Sequence, residues 1–269
     1  MYHIMEFNFF IKLFLSFSVG AVWVVVSTTV ADHLGTKLGG LVAGLPSGVV
    51  VTLLFVGLIQ GSDAATLAAG TVPTAFAING PFLICFCLLA NKGLIAALTG
   101  ALSVWFCLSY LLVRLGAPGL FTGIVIWLVT LLTTYWIFEN RLDIQSYSRG
   151  PATPTRNQMV FRAGLTGFVV STGVFLSKLG GPLFGGIAAT FPAVFLSTLI
   201  ISHLSGGADY ARGLAKAMML SGFINVVSYG VGAYFLFPIT GIWFGSAFCL
   251  MFSLITGYVT LLVMRSSMS

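Results

Sequence analysis

Residues 39–79 read GGLVAGLPSGVVVTLLFVGLIQGSDAATLAAGTVPTAFAIN, and residues 185–225 read GGIAATFPAVFLSTLIISHLSGGADYARGLAKAMMLSGFIN. The two stretches align without a gap at an offset of 146, and 13 of the 41 positions are identical. The matches include Pro46/Pro192, Thr52/Thr198, Leu53/Leu199, Gly61/Gly207, Asp63/Asp209, Ile78/Ile224 and Asn79/Asn225. Composition alone supplies some identities in a chain rich in Ala, Gly and Leu. Matched proline, aspartate and terminal asparagine in one register identify an internal duplication.

The 269 residues are 58% hydrophobic and 7% charged. A soluble surface needs far more charge. Several apolar runs of about 20 residues are long enough to cross a bilayer core at about 1.5 Å per residue. The fold class is therefore an all-α, polytopic transmembrane bundle. The net charge of +6 comes from scattered basic residues without a long basic run, so it implies topology rather than nucleic-acid binding. Cys85, Cys87, Cys107 and Cys249 lie inside apolar runs and read as small buried packing residues. No Cys/His spacing suggests zinc. The N-terminal run lacks the flanks of a cleaved signal and reads as a retained helix.

Nine spans are expected: 9–29, 38–60, 64–90, 94–113, 120–138, 159–179, 183–203, 210–237 and 239–264. Asp32 to Lys37, Gly61-Ser62-Asp63, Asn91-Lys92 and Gly116 to Gly119 read as turns. Glu139 to Gln158 reads as the one long loop, bearing Arg141, Arg149 and Arg156. Over nine spans, Lys12, Arg114 and Lys178 fall on the amino-terminal side. The other nine Lys and Arg fall on the carboxy-terminal side. The excess marks the cytoplasm, so the N-terminus is expected outside an inner (cell) membrane and the C-terminus inside.

The first copy (1–115) then uses spans one to four, and the second (159–269) uses spans six to nine. Residues 116–158 supply a linking span and a cytoplasmic loop. Displacement by five spans inverts the second copy, giving a 4+1+4 inverted repeat. That architecture is common among secondary transporters, with the substrate at the midplane between repeats. The expectation depends on Leu120 to Phe138 crossing.

The candidate substrate-binding residues are Asn79, Asn225, Pro46, Ser47, Thr52, Pro192 and Thr198. An amide at membrane depth needs partners. The asparagines either line a central site or bond a neighbouring helix backbone. A proline inside a span frees a carbonyl about one turn back, which can coordinate a ligand or merely mark a kink. Gly44 and Ser47, and Thr190 in the second copy, ease local opening. Asn79-Gly80-Pro81 is the strongest helix breaker, and Asn225-Val226-Val227 does not repeat it. Thr52 and Thr198 either face the site or bond their own backbone. Asp63 and Asp209 read as helix caps.

No Asp or Glu lies mid-span, and His3, His33 and His203 sit at span ends, so a buried proton relay is not visible. Charges within reach of the membrane are basic: Lys12, Arg162, Arg212 and Lys216. They serve either topology or an anionic or zwitterionic substrate. No catalytic triad, paired carboxylates, phosphate loop, metal set or cofactor motif is visible, and no enzyme activity is expected.

The run Gly39 to Pro46, the Gly61-Ser62-Asp63 turn after a Leu-rich helix, and four spans in about 110 residues resemble the GlpM-like family of small four-span membrane proteins. Here two copies would be fused through an extra span. More widely the chain is similar to the drug/metabolite transporter superfamily, whose larger members are inverted repeats of five spans each. This chain would be five plus four. It lacks a membrane-embedded glutamate like that of the small multidrug exporters.

The expected function is a carrier for a small metabolite, anionic or neutral, or a lipid head group, working by alternating access between inverted repeats. The alternatives are a lipid translocase or scramblase, or a non-transporting membrane subunit of a polysaccharide or glycerolipid pathway. The expected partners are the lipid bilayer and the substrate, with no nucleic acid; a homodimer is left open.

Overall fold

The computed structural model describes the backbone of residues 2–33, 46–144 and 155–267, and the side chains of residues 8–30, 46–144 and 155–260. The sequence motif Gly39 to Leu45 and the turn around Thr36 lie outside the described residues. The described residues form helices and connecting turns, without a strand. In order they are α1 (Tyr2–His33), α2 (Ser47–Gln60), α3 (Ser62–Ala77), α4 (Asn79–Leu89), α5 (Leu94–Leu115), α6 (Leu120–Asn140), α7 (Arg156–Gly180) and α8 (Pro182–Ala189). The last run, Ala193–Ser267, is interrupted by non-helical backbone at Gly207 and Gly241. Its segments are α9 (193–206), α10 (208–240) and α11 (242–267).

Among the described residues, six helical stretches are long and apolar enough to cross a membrane. One of them, Pro182–Thr260, has 79 residues. At about 1.5 Å per residue it would run several times the thickness of a bilayer core. Gly207 (φ 80°) and Gly241 (φ 73°) break it in the left-handed region, where glycine carries no Cβ penalty. Length and composition are those of a multi-pass membrane protein. Large apolar side chains such as Phe121, Val125, Val129, Phe244 and Phe248 are exposed on its outside.

Two expected spans are each divided into two helices. Span three is two helices, because Pro81 has no N–H to give the Ala77 carbonyl. Ile78 instead turns its N–H to Ala75. Span seven is also two helices, α8 and α9, separated by Thr190-Phe191-Pro192. The described part of span two begins at Ser47, directly after Pro46. The central loop is shorter than expected. Helix α6 continues to Asn140, and α7 starts at Arg156 under a capping box made by Thr155 and Gln158. Of the cysteines, Cys87 and Cys249 are buried as expected, whereas Cys107 is exposed and Cys85 half-buried.

Local features recur at aligned positions of the two stretches 39–79 and 185–225. Gly61 (φ 96°) and Gly207 (φ 80°) turn the chain in the same way at equivalent positions. Helix α2 starts after Pro46 with the Val50 N–H bonded to its carbonyl at 2.9 Å, and α9 starts after Pro192 with the Leu196 N–H bonded at 2.7 Å. The offset is 146 in each case.

Packing directions follow from side-chain neighbours. Helices α3 and α10 are antiparallel: Gly70 faces Tyr234, Val72 faces Gly230, and the Phe76 ring meets Phe223 at 5.2 Å. Helices α1 and α7 are also antiparallel. Phe9 meets Phe175 near one end, and Gly20 meets Val170 farther along, where a methyl on the glycine would sit 3.0 Å from Val170. Helix α8 threads between α2 and α3. Gly185 lies by Val56 and Gly173 by Thr52 and Ala188, while Gly186 lies directly on Thr71 and Ala68. Small residues at these crossings let backbones approach, which is how helices associate where lipid removes the hydrophobic drive.

Candidate functional site

The break between α8 and α9 is the focus of the candidate residues. Helix α8 is only eight residues long and ends at Ala189. Its last carbonyls have no intrahelical donors. Asn79, fully buried on α4, supplies one: its Nδ2 donates to the Thr190 carbonyl at 3.1 Å. Thr190 turns its own hydroxyl back to the Ile187 carbonyl at 2.8 Å. The start of α2 arrives on the other side, where Gly48 faces the Ala189 carbonyl. The break is thus bordered by the start of α2 through Gly48 and by Asn79 on α4, while Thr52, farther along α2, lies with Ala188 beside Gly173.

This arrangement refines several expectations. Pro46 and Pro192 each immediately precede a described helix, where the missing N–H is not needed, and Pro192 stands at the break between α8 and α9. The opening at Thr190 therefore comes from the ended α8 rather than from a carbonyl freed inside a continuous helix. Asn79 gives its amide to Thr190 rather than to Asn225, while its Oδ1 has no partner among the described residues. One end of the amide ties helices together and the other end is available. Asn225 is equally buried on α10, and its backbone carbonyl accepts from Ser253 at 3.1 Å. Thr52 does not bond its own backbone: its Oγ1 is buried without a partner among the described residues, and its methyl lies by Gly173. Thr198 is buried on α9, and Ser47 on α2.

Asp63 and Asp209 are not capping residues. The N-cap of α3 is Gly61, without a side-chain bond, and Asp63 sits in the first turn. There its charge meets the positive end of the helix dipole. Asp209 pairs with Arg212 at 3.3 Å.

The basic residues are engaged within the protein. Lys216, 6% exposed, pairs with Glu139 at 2.8 Å and donates to the Ile144 carbonyl at 2.7 Å. Arg212 donates to the Leu142 carbonyl at 3.3 Å. Together they cover the carboxy-terminal end of α6, where cations are favoured by the dipole. Lys12 donates to the Leu58 carbonyl at 3.0 Å near the end of α2. Lys178 lies 3.5 Å over the Phe9 ring.

Sequence reasoning passed over the face of α5 turned to the break. Trp105 packs edge-on against Phe191, with ring centroids 4.9 Å apart. The available signal was the stripe Ala97, Ala101, Trp105 and Ser109 at helical spacing, all buried.

Comparisons with known proteins bear mainly on the first half. Residues 13–116 match the model of a family described as "Protein of unknown function (DUF3147)". The matched segment ends one residue beyond α5. Neither a curated protein nor a solved structure matches the chain.

Proposed function

We propose that the chain is an inner-membrane carrier for a small solute, built as a 4+1+4 inverted repeat that rocks around a midplane site at the Thr190–Pro192 break. Its N-terminus lies outside and its C-terminus in the cytoplasm. The observation that carries this reading is the bond from Asn79 in the first copy to the Thr190 carbonyl in the broken helix of the second. A short polar bridge between halves at a discontinuous helix is the arrangement that alternating access uses.

Further support comes from direction. Equivalent helices of inverted copies must run antiparallel, and α3 and α10 do so, as do α1 and α7. The recurring turns at Gly61 and Gly207 support the same duplication. The internal engagement of Lys12, Arg212 and Lys216 weighs against an anionic substrate held by these side chains.

The test uses single cysteines in a background lacking Cys85, Cys87, Cys107 and Cys249. Cysteines at Ser62, Asn91, Ala208 and Ser269 are probed with an impermeant thiol reagent on intact cells. Ser62 is expected to label, and the other three not. Labelling of Ser62 and Ala208 from the same side would reject the inverted repeat. A cysteine at Ser47 is then probed in intact cells and in inverted vesicles. Reaction from both sides supports alternating access; reaction from neither favours a non-transporting subunit.

A further inference from the structure

Helix α5 turns one stripe inward, and two of its residues carry unanswered polar atoms. Trp105 is 4% and Ser109 6% exposed. Neither the indole Nε1 nor the Ser109 Oγ has a hydrogen-bond partner among the described residues. They are four residues apart and so adjacent on one face. A hydroxyl in a membrane helix ordinarily bonds a carbonyl three or four residues back. Thr99 on the same helix does so, to Ile95 at 2.8 Å; Ser109 does not.

Trp105 borders the Thr190–Pro192 break. The Trp105 ring lies against Phe191, and Phe106 lies 6.3 Å from the same ring. Phe191 adjoins Thr190, which holds the Asn79 amide. The Asn79 Oδ1 is the third unanswered atom. The Asn79 acceptor and the Trp105 donor thus belong to residues that border one helix break, with the Ser109 hydroxyl one turn along α5 from Trp105; Thr52, beside Gly173, carries a further such atom. Buried polar groups are ordinarily paired, and each unpaired one asks for an explanation.

The second half does not repeat this feature. Gly93 (φ 108°) and Gly241 (φ 73°) make corresponding turns at an offset of 148. In that register Trp105 corresponds to Ser253, whose hydroxyl already donates to the Asn225 carbonyl at 3.1 Å.

We infer that Asn79, Trp105 and Ser109 form a binding subsite at the Thr190–Pro192 break for a small, uncharged, polyhydroxylated solute. Transport of that solute rests on the carrier reading above; its binding does not. A cation would suit the Asn79 Oδ1, the Ser109 Oγ and the ring faces, yet leave the indole N–H without an acceptor. An anion would answer the indole and the hydroxyl, yet meet the Asn79 Oδ1 as a second acceptor. A hydroxyl group both donates and accepts, so neighbouring hydroxyls on one carbon skeleton answer all three. The skeleton's C–H groups then pack on the faces of Trp105 and Phe191.

The test is equilibrium binding of tritiated mannitol, glucose and glycerol to the purified full chain in detergent, with choline and glutamate as competitors. Saturable binding of at least one polyol is expected, unaffected by choline or glutamate. Trp105→Phe and Ser109→Ala should each weaken it about tenfold, the scale of one lost hydrogen bond; Ser109→Ala should do so at unchanged thermal stability, whereas Trp105→Phe also loses buried packing against Phe191. No saturable binding of any of the three, or competition by choline or glutamate, overturns the ligand class. Binding that survives both substitutions overturns the site. Two-sided reaction at Ser47 without polyol binding rejects this inference alone; polyol binding without two-sided reaction rejects the carrier alone.

Discussion

Asn79 on α4 donates its side-chain amide to the backbone carbonyl of Thr190, 3.1 Å away and 111 residues later in the chain. The bond joins α4 to the break between α8 and α9. It satisfies a carbonyl that α8, ending at Ala189, leaves without a donor. Asn79→Leu removes the donor and should cost about 1 kcal/mol, the scale of interhelical hydrogen bonds in membranes. Thermal unfolding in detergent should show a Tm lowered by roughly 2–4 °C. An unchanged Tm would mean that the bond holds nothing together.

The approach of α8 to α3 sets a second expectation. A methyl at Gly186 would overlap the Thr71 hydroxyl and the Ala68 carbonyl, whereas one at Gly164 meets nothing within 4 Å. Gly186→Ala should destabilise by about 1–3 kcal/mol through overpacking. Gly164→Ala should be neutral or stabilise by up to about 1 kcal/mol through helix propensity. Equal unfolding temperatures for the two variants would contradict the close crossing.

Lys216 and Glu139 tie α10 to the end of α6 at 2.8 Å. Lys216 is buried, so removing either partner leaves unsatisfied polar groups behind. A double-mutant cycle with Lys216→Met and Glu139→Gln should give a coupling of about 1 kcal/mol. A coupling indistinguishable from zero would reassign Lys216 to the topology signal alone.

Helix α6 is tied to α10 at mid-length. The Trp127 indole donates to the Phe223 carbonyl at 3.1 Å. Trp127→Phe should lower stability by about 1 kcal/mol. Trp136, 49% exposed on the outer surface, should tolerate the same change within about 0.5 kcal/mol. Comparable losses at the two positions would show that the Phe223 bond is not specific.

Part of the site could be read from residues alone. Asn79-Gly80-Pro81 announced the break at Ile78, because a proline and a glycine side by side withhold both an N–H and helix propensity. The twin glycines Gly61 and Gly207 announced two turns. Pro46 and Pro192 each stand directly before a helix, and Pro192 closes the break between α8 and α9. An apolar run reads the same whether it is one helix or two, so hydropathy cannot locate an ended α8 inside it. Trp105 and Ser109 stayed out of view for a related reason. In a helix that is apolar all round, sequence does not say which face is turned to lipid and which to another helix.

What the sequence determined by itself is the class, the aligned stretches 39–79 and 185–225, and the positions of the turns. These follow from properties local to the chain: span length against bilayer thickness, glycine and proline geometry, and a repeated register. Only the tertiary structure decided which polar groups meet. Asn79 finds Thr190 across 111 residues, and Lys216 finds Glu139 across the end of α6. The indole of Trp105 finds the Phe191 ring. Each pairing depends on crossings set by small residues on different helices, and no local pattern in the chain encodes which helix lies opposite.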